Sequence, residues 1–196
     1  GNVVLSVGGD GAVMIDDYYP NMVTAYQTAI DEVMGADFSA PQYVINTHWH
    51  QDHTGGNSYW AEEGATVIAH NNVRKRMQEG LDNKALGVVF PPSPPEALPV
   101  MTFSNQFSLY ANGEAIVVEH FSAGHTDGDS IVFFINDNVV HMGDHFFNGR
   151  YPFIDIESGG SVQGYIANVA AILSRIDSAV QIVPGHGPLA TKADLE

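Results

Sequence analysis

Apolar positions along this chain recur in two periods, and the periods sort it into strands and helices. Asn2 to Val7 and Ala12 to Asp16 are apolar runs either side of Gly8-Gly9-Asp10-Gly11 and read as a β-hairpin. After the loop Asp16-Asp17-Tyr18-Tyr19-Pro20, the residues Met22, Tyr26, Ile30 and Val33 fall at helical spacing. They predict a core-facing helix from about Asn21 to Met34, ended by Gly35. Gln42 to Thr47 reads as a buried strand, Asn57 to Glu63 as a short helix, Ala65 to Ala69 as a strand and Asn71 to Gln78 as a helix. Arg74, Lys75 and Arg76 are expected on the solvated face of that last helix, with a phosphate or carboxylate site as the alternative.

Pro91-Pro92-Ser93-Pro94-Pro95 cannot continue a helix or a central strand. The stretch from about Gly87 to Pro99 is therefore expected to be an extended connector and a mobile active-site wall. It divides one domain into similar halves, about residues 1–86 and 100–196. In the second half, Phe107 to Tyr110 and Glu114 to Phe121 flank Ala111-Asn112-Gly113, and Ser130 to Ile135 and Asn138 to Met142 flank Asn136-Asp137. Val162, Tyr165, Ile166, Val169, Ile172, Leu173 and Ile176 predict a helix over Ser161 to Ile176, followed by a strand from Ala179 to Val183. Two such halves, packed sheet against sheet with helices outside, make a four-layer αββα sandwich whose strand ends converge along one edge.

Composition narrows the partners. Of 196 residues, 44% are hydrophobic and 15% charged, as in a folded globular domain with a sizeable core. No run approaches the roughly 20 apolar residues that cross a bilayer. Seven Lys plus Arg against 23 Asp plus Glu give a net charge of −16, which repels nucleic acid and anionic lipid surfaces, so neither is expected as a partner. A small-molecule substrate is expected instead. Cysteine is absent, which excludes disulfides and thiolate ligands and suits a cytoplasmic or a periplasmic location. No signal peptide is present, and Gly1 falls within a strand-like run, which leaves open whether an export signal and an opening strand were trimmed.

The candidate chemistry is concentrated after the third apolar strand, at His48-Trp49-His50-Gln51-Asp52-His53. Taken singly, each histidine reads as a surface or capping residue. Three imidazoles and a carboxylate within six residues read as metal ligands, because packing gives no reason to crowd titratable groups after a buried strand. In extended backbone His48 and His50 face one point. A turn at Thr54-Gly55-Gly56 swings Asp52 and His53 to a second, so two adjacent metals are implied. Three more candidates follow predicted strands, each directly after a glycine: His125, Asp144 and His186. His70, His120 and His141 read as ordinary hydrogen-bonded strand residues, while His145 reads as supporting a ligand or facing substrate. Phe146-Phe147-Asn148-Gly149-Arg150-Tyr151 offers an aromatic wall and one cation; Arg150 is expected to pin its own loop through Asp155 or Glu157 or, as the alternative, to pair with a substrate carboxylate.

His48-x-His50-x-Asp52-His53, then Gly124-His125-Thr126, Gly143-Asp144 and Gly185-His186-Gly187, resemble the metallo-β-lactamase superfamily over nearly the whole chain. The string from Thr47 to Asn57 is especially similar to the glyoxalase II-like branch. The resemblance implies the αββα fold, a first metal held by His48, His50 and His125, a second held by Asp52, His53 and His186, and Asp144 bridging them. It implies zinc first, with iron or manganese in some members. A metal-bridging hydroxide would attack the carbonyl of a small ester, lactone, thioester or β-lactam, with Asp52 carrying the proton. Two divalent ions, Asp52, Asp144 and hydroxide leave one net positive charge for the developing oxyanion.

The alternatives are an iron-dependent oxidoreductase on the same scaffold and a non-catalytic metal-binding protein. Flavodiiron members carry glutamate at the His50 position, so His50 favours hydrolysis. The sequence ends soon after His186, without the basic C-terminal helices with which glyoxalase II enzymes hold glutathione, so a glutathione thioester is not expected. Thr126-Asp127-Gly128-Asp129-Ser130 lacks the second histidine typical of acyl-homoserine lactonases. Asp144 replaces the thiolate of one β-lactamase subclass, and another subclass has no ligand there.

Overall fold

A computed structural model describes residues 1–35, 40–84 and 87–196. The first sheet is built from β1 (Val4–Gly8), β2 (Gly11–Ile15), β3 (Tyr43–Asn46) and β4 (Thr66–His70), with α1 (Val23–Met34), α2 (Gln51–Thr54), α3 (Asn57–Glu62) and α4 (Asn71–Glu79) between and after them. β5 (Leu81–Asn83) pairs with β6 (Val88–Phe90) at the start of the connector as a small hairpin, and the connector leads into β7 (Met101–Phe103). The second sheet follows from β8 (Gln106–Ala111), β9 (Glu114–His120), β10 (Ser130–Phe134) and β11 (Val139–His141), then α5 (Val162–Leu173), β12 (Gln181–Val183) and the terminal α6 (Lys192–Leu195).

The sheet orders are β1-β2-β3-β4-β7 and β12-β11-β10-β9-β8. Strand alternation sends each sheet's apolar residues to two different layers. Val13, Ile15, Ile45 and Ile68 of the first sheet meet Ile116, Val118, Val132 and Phe134 of the second between the sheets. Their neighbours Met14, Val44 and Val67 point the other way, against Val23 and Ile30 of α1 and Trp60 of α3. Ile131, Phe133 and Val140 likewise meet Ile172 and Ile176 at the end of α5. These layers are the predicted αββα sandwich, and burying each such branched side chain contributes about 1.5–3 kcal/mol.

Four details depart from the sequence reading. Pro20–Met22 forms a 3-10 turn, so α1 starts at Val23. The buried face is accordingly Val23 and Ile30 with Tyr26 and Met34, while Val33 is 71% exposed. Val162 and Ile166 are also exposed, because the first half of α5 overhangs a loop, where Gly164 lies against Ala123, and only its end reaches the sheet. The connector is not wholly irregular: β7 beyond it pairs in parallel with β4, so the first sheet takes its last strand from past the proline run. The expected end of the first half, at residue 86, lies outside the described residues. Finally, Arg76 does not face solvent freely; its guanidinium grips Asp127 at 2.8 Å. Among the described residues no helix is long and apolar enough to cross a membrane.

Strand direction places the site. β2, β3, β4 and β7 run parallel in the first sheet. In the second, β9 and β11 both run antiparallel to β10, and β12 runs parallel to β11, so these three end on one edge. The segments carrying His48 to His53, His125, Asp144 and His186 leave the C-terminal ends of β3, β9, β11 and β12.

Candidate metal centre

All seven sequence-predicted residues meet at this edge. His48, His50, His125 and Asp144 form one group of converging ligand atoms, and Asp52, His53 and His186 a second. Asp144 stands between them: Oδ2 is 3.4 Å from both His125 Nε2 and His186 Nε2, and Oδ1 is 3.1 Å from His53 Nε2. Asp52 and His53 do not lie in an open loop, as the sequence suggested. The His50 carbonyl accepts from His53 N and Thr54 N, which starts the short helix α2 and carries Asp52 and His53 round to the second group.

The hydrogen bonds fix which ring nitrogens carry protons. His125 Nδ1 faces the Phe153 carbonyl at 2.7 Å, and a carbonyl only accepts, so Nδ1 is the protonated nitrogen. His50 Nε2 donates to the Asp155 carboxylate at 3.0 Å. Thr47 Oγ1 gives its own proton to Asp16 and therefore accepts from His48 Nδ1 at 3.1 Å. Each ring then turns an unprotonated nitrogen inward. His50 Nδ1 lies 3.1 Å from His48 Nε2 and 2.9 Å from His125 Nε2, lone pair against lone pair.

That arrangement suits a metal cation better than a proton. Burial pushes the His48 pKa well below its ordinary value and that of His125 down to about 4, in each case against the pull of Asp144. Nitrogens around a single tetrahedral zinc stand about 3.3 Å apart. Neutral imidazoles with their far nitrogens tied to carboxylate, hydroxyl and carbonyl are the usual setting of metal-binding histidines.

The second group gives the same answer by a different route. His53 is fully buried, its Nδ1 2.7 Å from Asp16 Oδ2, yet its Nε2 and the Asp144 Oδ1 it faces have no hydrogen-bond partner among the described residues. Burial opposes charge on His53, but Asp144 and Asp16 outweigh it and raise the pKa well above the ordinary value. Burial likewise works against ionised Asp52, which hydrogen bonds from His186 and His53 hold well below the usual carboxylate range. Positive charge is favoured here, and the two orphaned atoms supply ligands for it. The residues fit a pair of divalent ions.

The glycines before the candidate ligands have steric reasons. A Cβ on Gly185 would lie 2.1 Å from Asp144 Oδ1, and one on Gly124 would lie 2.1 Å from His145 Nε2. His145 itself is buried, bonded to Asn168 and stacked on Tyr165, so it supports the Asp144 turn and does not face substrate. His70 and His120 stack on each other at 3.7 Å and bond to backbone carbonyls, and His141 accepts from Gly143 N, as expected of strand residues.

Sequence reasoning missed Asp16 and Asp155, the carboxylates behind His53 and His50. Asp16 follows β2 directly, and a positive φ of 57° turns its side chain back onto Thr47 and His53. An acidic pair just past a buried strand was the available signal. Asp155, 105 residues from His50, had none. Its carboxylate also binds Asn83 and Ser158, and among the described residues Arg150 makes no ion pair, so Arg150 does not pin the loop through Asp155.

The chain belongs to the metallo-beta-lactamase superfamily, whose family model matches residues 1–186. A curated relative, the Beta-lactamase-like protein 2 homolog of Caenorhabditis elegans, is 23% identical over 194 residues; these are 97% of this chain and 57% of the relative, so the chain spans little more than half of that protein's length. Among solved structures, the di-iron-bound form of TTHA1623 matches with a TM-score of 0.74 and 25% identity, covering 98% of this chain and 90% of that one. A metallo-beta-lactamase from Pontibacter korlensis matches with a TM-score of 0.78 and 19% identity over 97% of this chain and 81% of its own. The second likeness is one of fold.

Proposed function

We propose that this protein is a dinuclear metal-dependent hydrolase that adds water to the carbonyl of a small ester, lactone, thioester or β-lactam. The observation that carries the reading is the inward convergence of unprotonated His48, His50 and His125 nitrogens, with Asp144 of that group 3.1 Å from His53 and 3.4 Å from His186 of the second. His48, His50 and His125 would hold one ion, and Asp52, His53 and His186 the other, with Asp144 placed to serve both. Two divalent ions held there supply Lewis acidity and lower the pKa of a water enough to make a nucleophile near neutral pH.

The chain's own residues do the rest. Asp16, Thr47, Asp155 and the Phe153 carbonyl lock the imidazoles in one tautomer and one orientation. Asp52 is 19% exposed, lines the cleft above the cluster and lies 3.2 Å from His186, where it can accept the nucleophile's proton and return it to the leaving group. Zinc is the expected metal. The string from Thr47 to Asn57 favours a place near the glyoxalase II-like branch. Partnership with nucleic acid or membrane is not expected, given the net charge of −16.

A second reading, an iron-dependent oxidoreductase, draws on the di-iron-bound relative. A panel of thioester, lactone and β-lactam substrates with zinc-reconstituted protein separates the two. Hydrolysis of at least one class, abolished by a chelator and restored by zinc, is the expected result. Activity only with iron, accompanied by oxygen uptake, would establish the second reading instead.

A further inference from the structure

We propose that the cleft above the cluster accepts an uncharged acyl group with an apolar, aromatic-sized body and discriminates against substrates whose acyl body carries a second, anionic group. The reaction rests on the hydrolase reading; the recognition rests on the walls and the charge of the cleft.

The walls are aromatic and come from four separate segments. Tyr19 precedes α1, Phe90 ends β6, Phe147 follows β11 and Phe153 precedes α5, and all four line a cleft of about 230 Å³. Phe147 lies flat on the His186 ring at 5.1 Å, and Phe153 stands 5.7 Å from the His125 ring. Phe90 is held edge-on by buried Trp49 at 5.5 Å. Tyr19 and Phe153 remain 41% and 39% exposed, so they leave ring surface open beside the reacting centre. A short or aromatic acyl group fills such a space, and each ring that it covers adds apolar contact.

The charges point the same way. All seven Lys and Arg residues are described, and none lines the cleft, whereas Asp52, Asp144 and Asp155 do. Arg76, Lys84 and Arg175 are paired with Asp127, Asp82 and Glu119, and Arg74 and Lys192 are bonded to backbone carbonyls. The two ions, hydroxide, Asp52 and Asp144 alone would leave one positive charge. Asp155 and Asp16, hydrogen-bonded to His50 and His53, more than cancel it and leave one net negative charge. Polarisation of the reacting oxygen is local and survives. The longer-range attraction that would draw a second, remote anionic group does not. The N-terminal ammonium, 3.7 Å from Asp52, is paired with that carboxylate, and exposed Arg150, on the turn after Phe147, is a rival source of anion recognition.

The test compares N-methylbenzamide with its 4-carboxylate as binding probes, by calorimetry on the zinc-loaded protein, alongside hydrolysis of phenyl benzoate and phenyl 4-carboxybenzoate. The neutral probe is expected to bind about tenfold more tightly or better. Phe90→Arg, and independently the exposed Tyr19→Arg, are expected to reverse that preference. Equal or tighter wild-type binding of the carboxylate probe overturns the proposal, and loss of that binding in Arg150→Ala would assign anion recognition to Arg150. Two well-folded arginine variants with unchanged preference would also overturn it. A preserved neutral preference with no ester hydrolysed supports this recognition while removing the hydrolase reading on which the reaction rests.

Discussion

Asp52→Asn lowers kcat by about 10²–10⁴-fold, the usual contribution of a positioned proton carrier, while both metals stay bound. The amide keeps an oxygen that can ligate but loses the second anionic oxygen that would take a proton. Asp52 is suited to that double role by its place at the boundary of cluster and cleft. Its Oδ2 lies 3.2 Å from His186 Nε2 and 3.5 Å from His53 Nε2, yet the side chain is 19% exposed where Asp144 is 5%. The effect belongs in kcat, since no substrate contact is removed. Steady-state kinetics beside elemental analysis of the same preparation checks it, and an Asp52→Asn or Asp52→Ala enzyme running at full rate with two metals refutes the role.

Asp144→Asn has the opposite signature, a loss of metal. Among the described residues Asp144 is the carboxylate that reaches both groups, with one oxygen 3.1 Å from His53 and the other 3.4 Å from His125 and from His186. An asparagine is nearly isosteric and presents one carbonyl oxygen, so it can serve one ion well. Close packing against Gly185 also keeps the side chain from moving aside. Affinity for the second ion is expected to fall by more than the 10–100-fold that removal of an outer hydrogen-bond partner costs. Activity should be restored in part by excess metal. Two undiminished ions per chain in this variant would count against bridging.

The seven clustered residues were legible because they obey local rules. His48 and His50 share a face of extended chain, and His125, Asp144 and His186 each follow a strand and a glycine. The steric demand of Asp144 on Gly185 shows why that last pattern carried information. The sandwich was legible for a similar reason: Val13, Met14 and Ile15 alternate between the two sides of one sheet, and such alternation is written in the sequence.

What lay beyond reading depends on contacts between distant segments. Asp155 looks like any loop carboxylate until the fold brings it to His50. The three-residue β7 carries no pattern long enough to assign it to the first sheet. Arg76, in a run of three cations that resembles a solvated face, finds Asp127 only after both halves are assembled. Val33 was misread because the core contact of α1 runs through Val23, Ile30 and Met34, a face turned away from Val33.

A crystal structure of the zinc-loaded protein with anomalous data at the zinc edge tests the central claim most directly. Two ions are predicted, one within bonding distance of His48, His50 and His125, the other of Asp52, His53 and His186, with Asp144 reaching both. A single ion, or ions bound elsewhere with this cluster holding none, would contradict it.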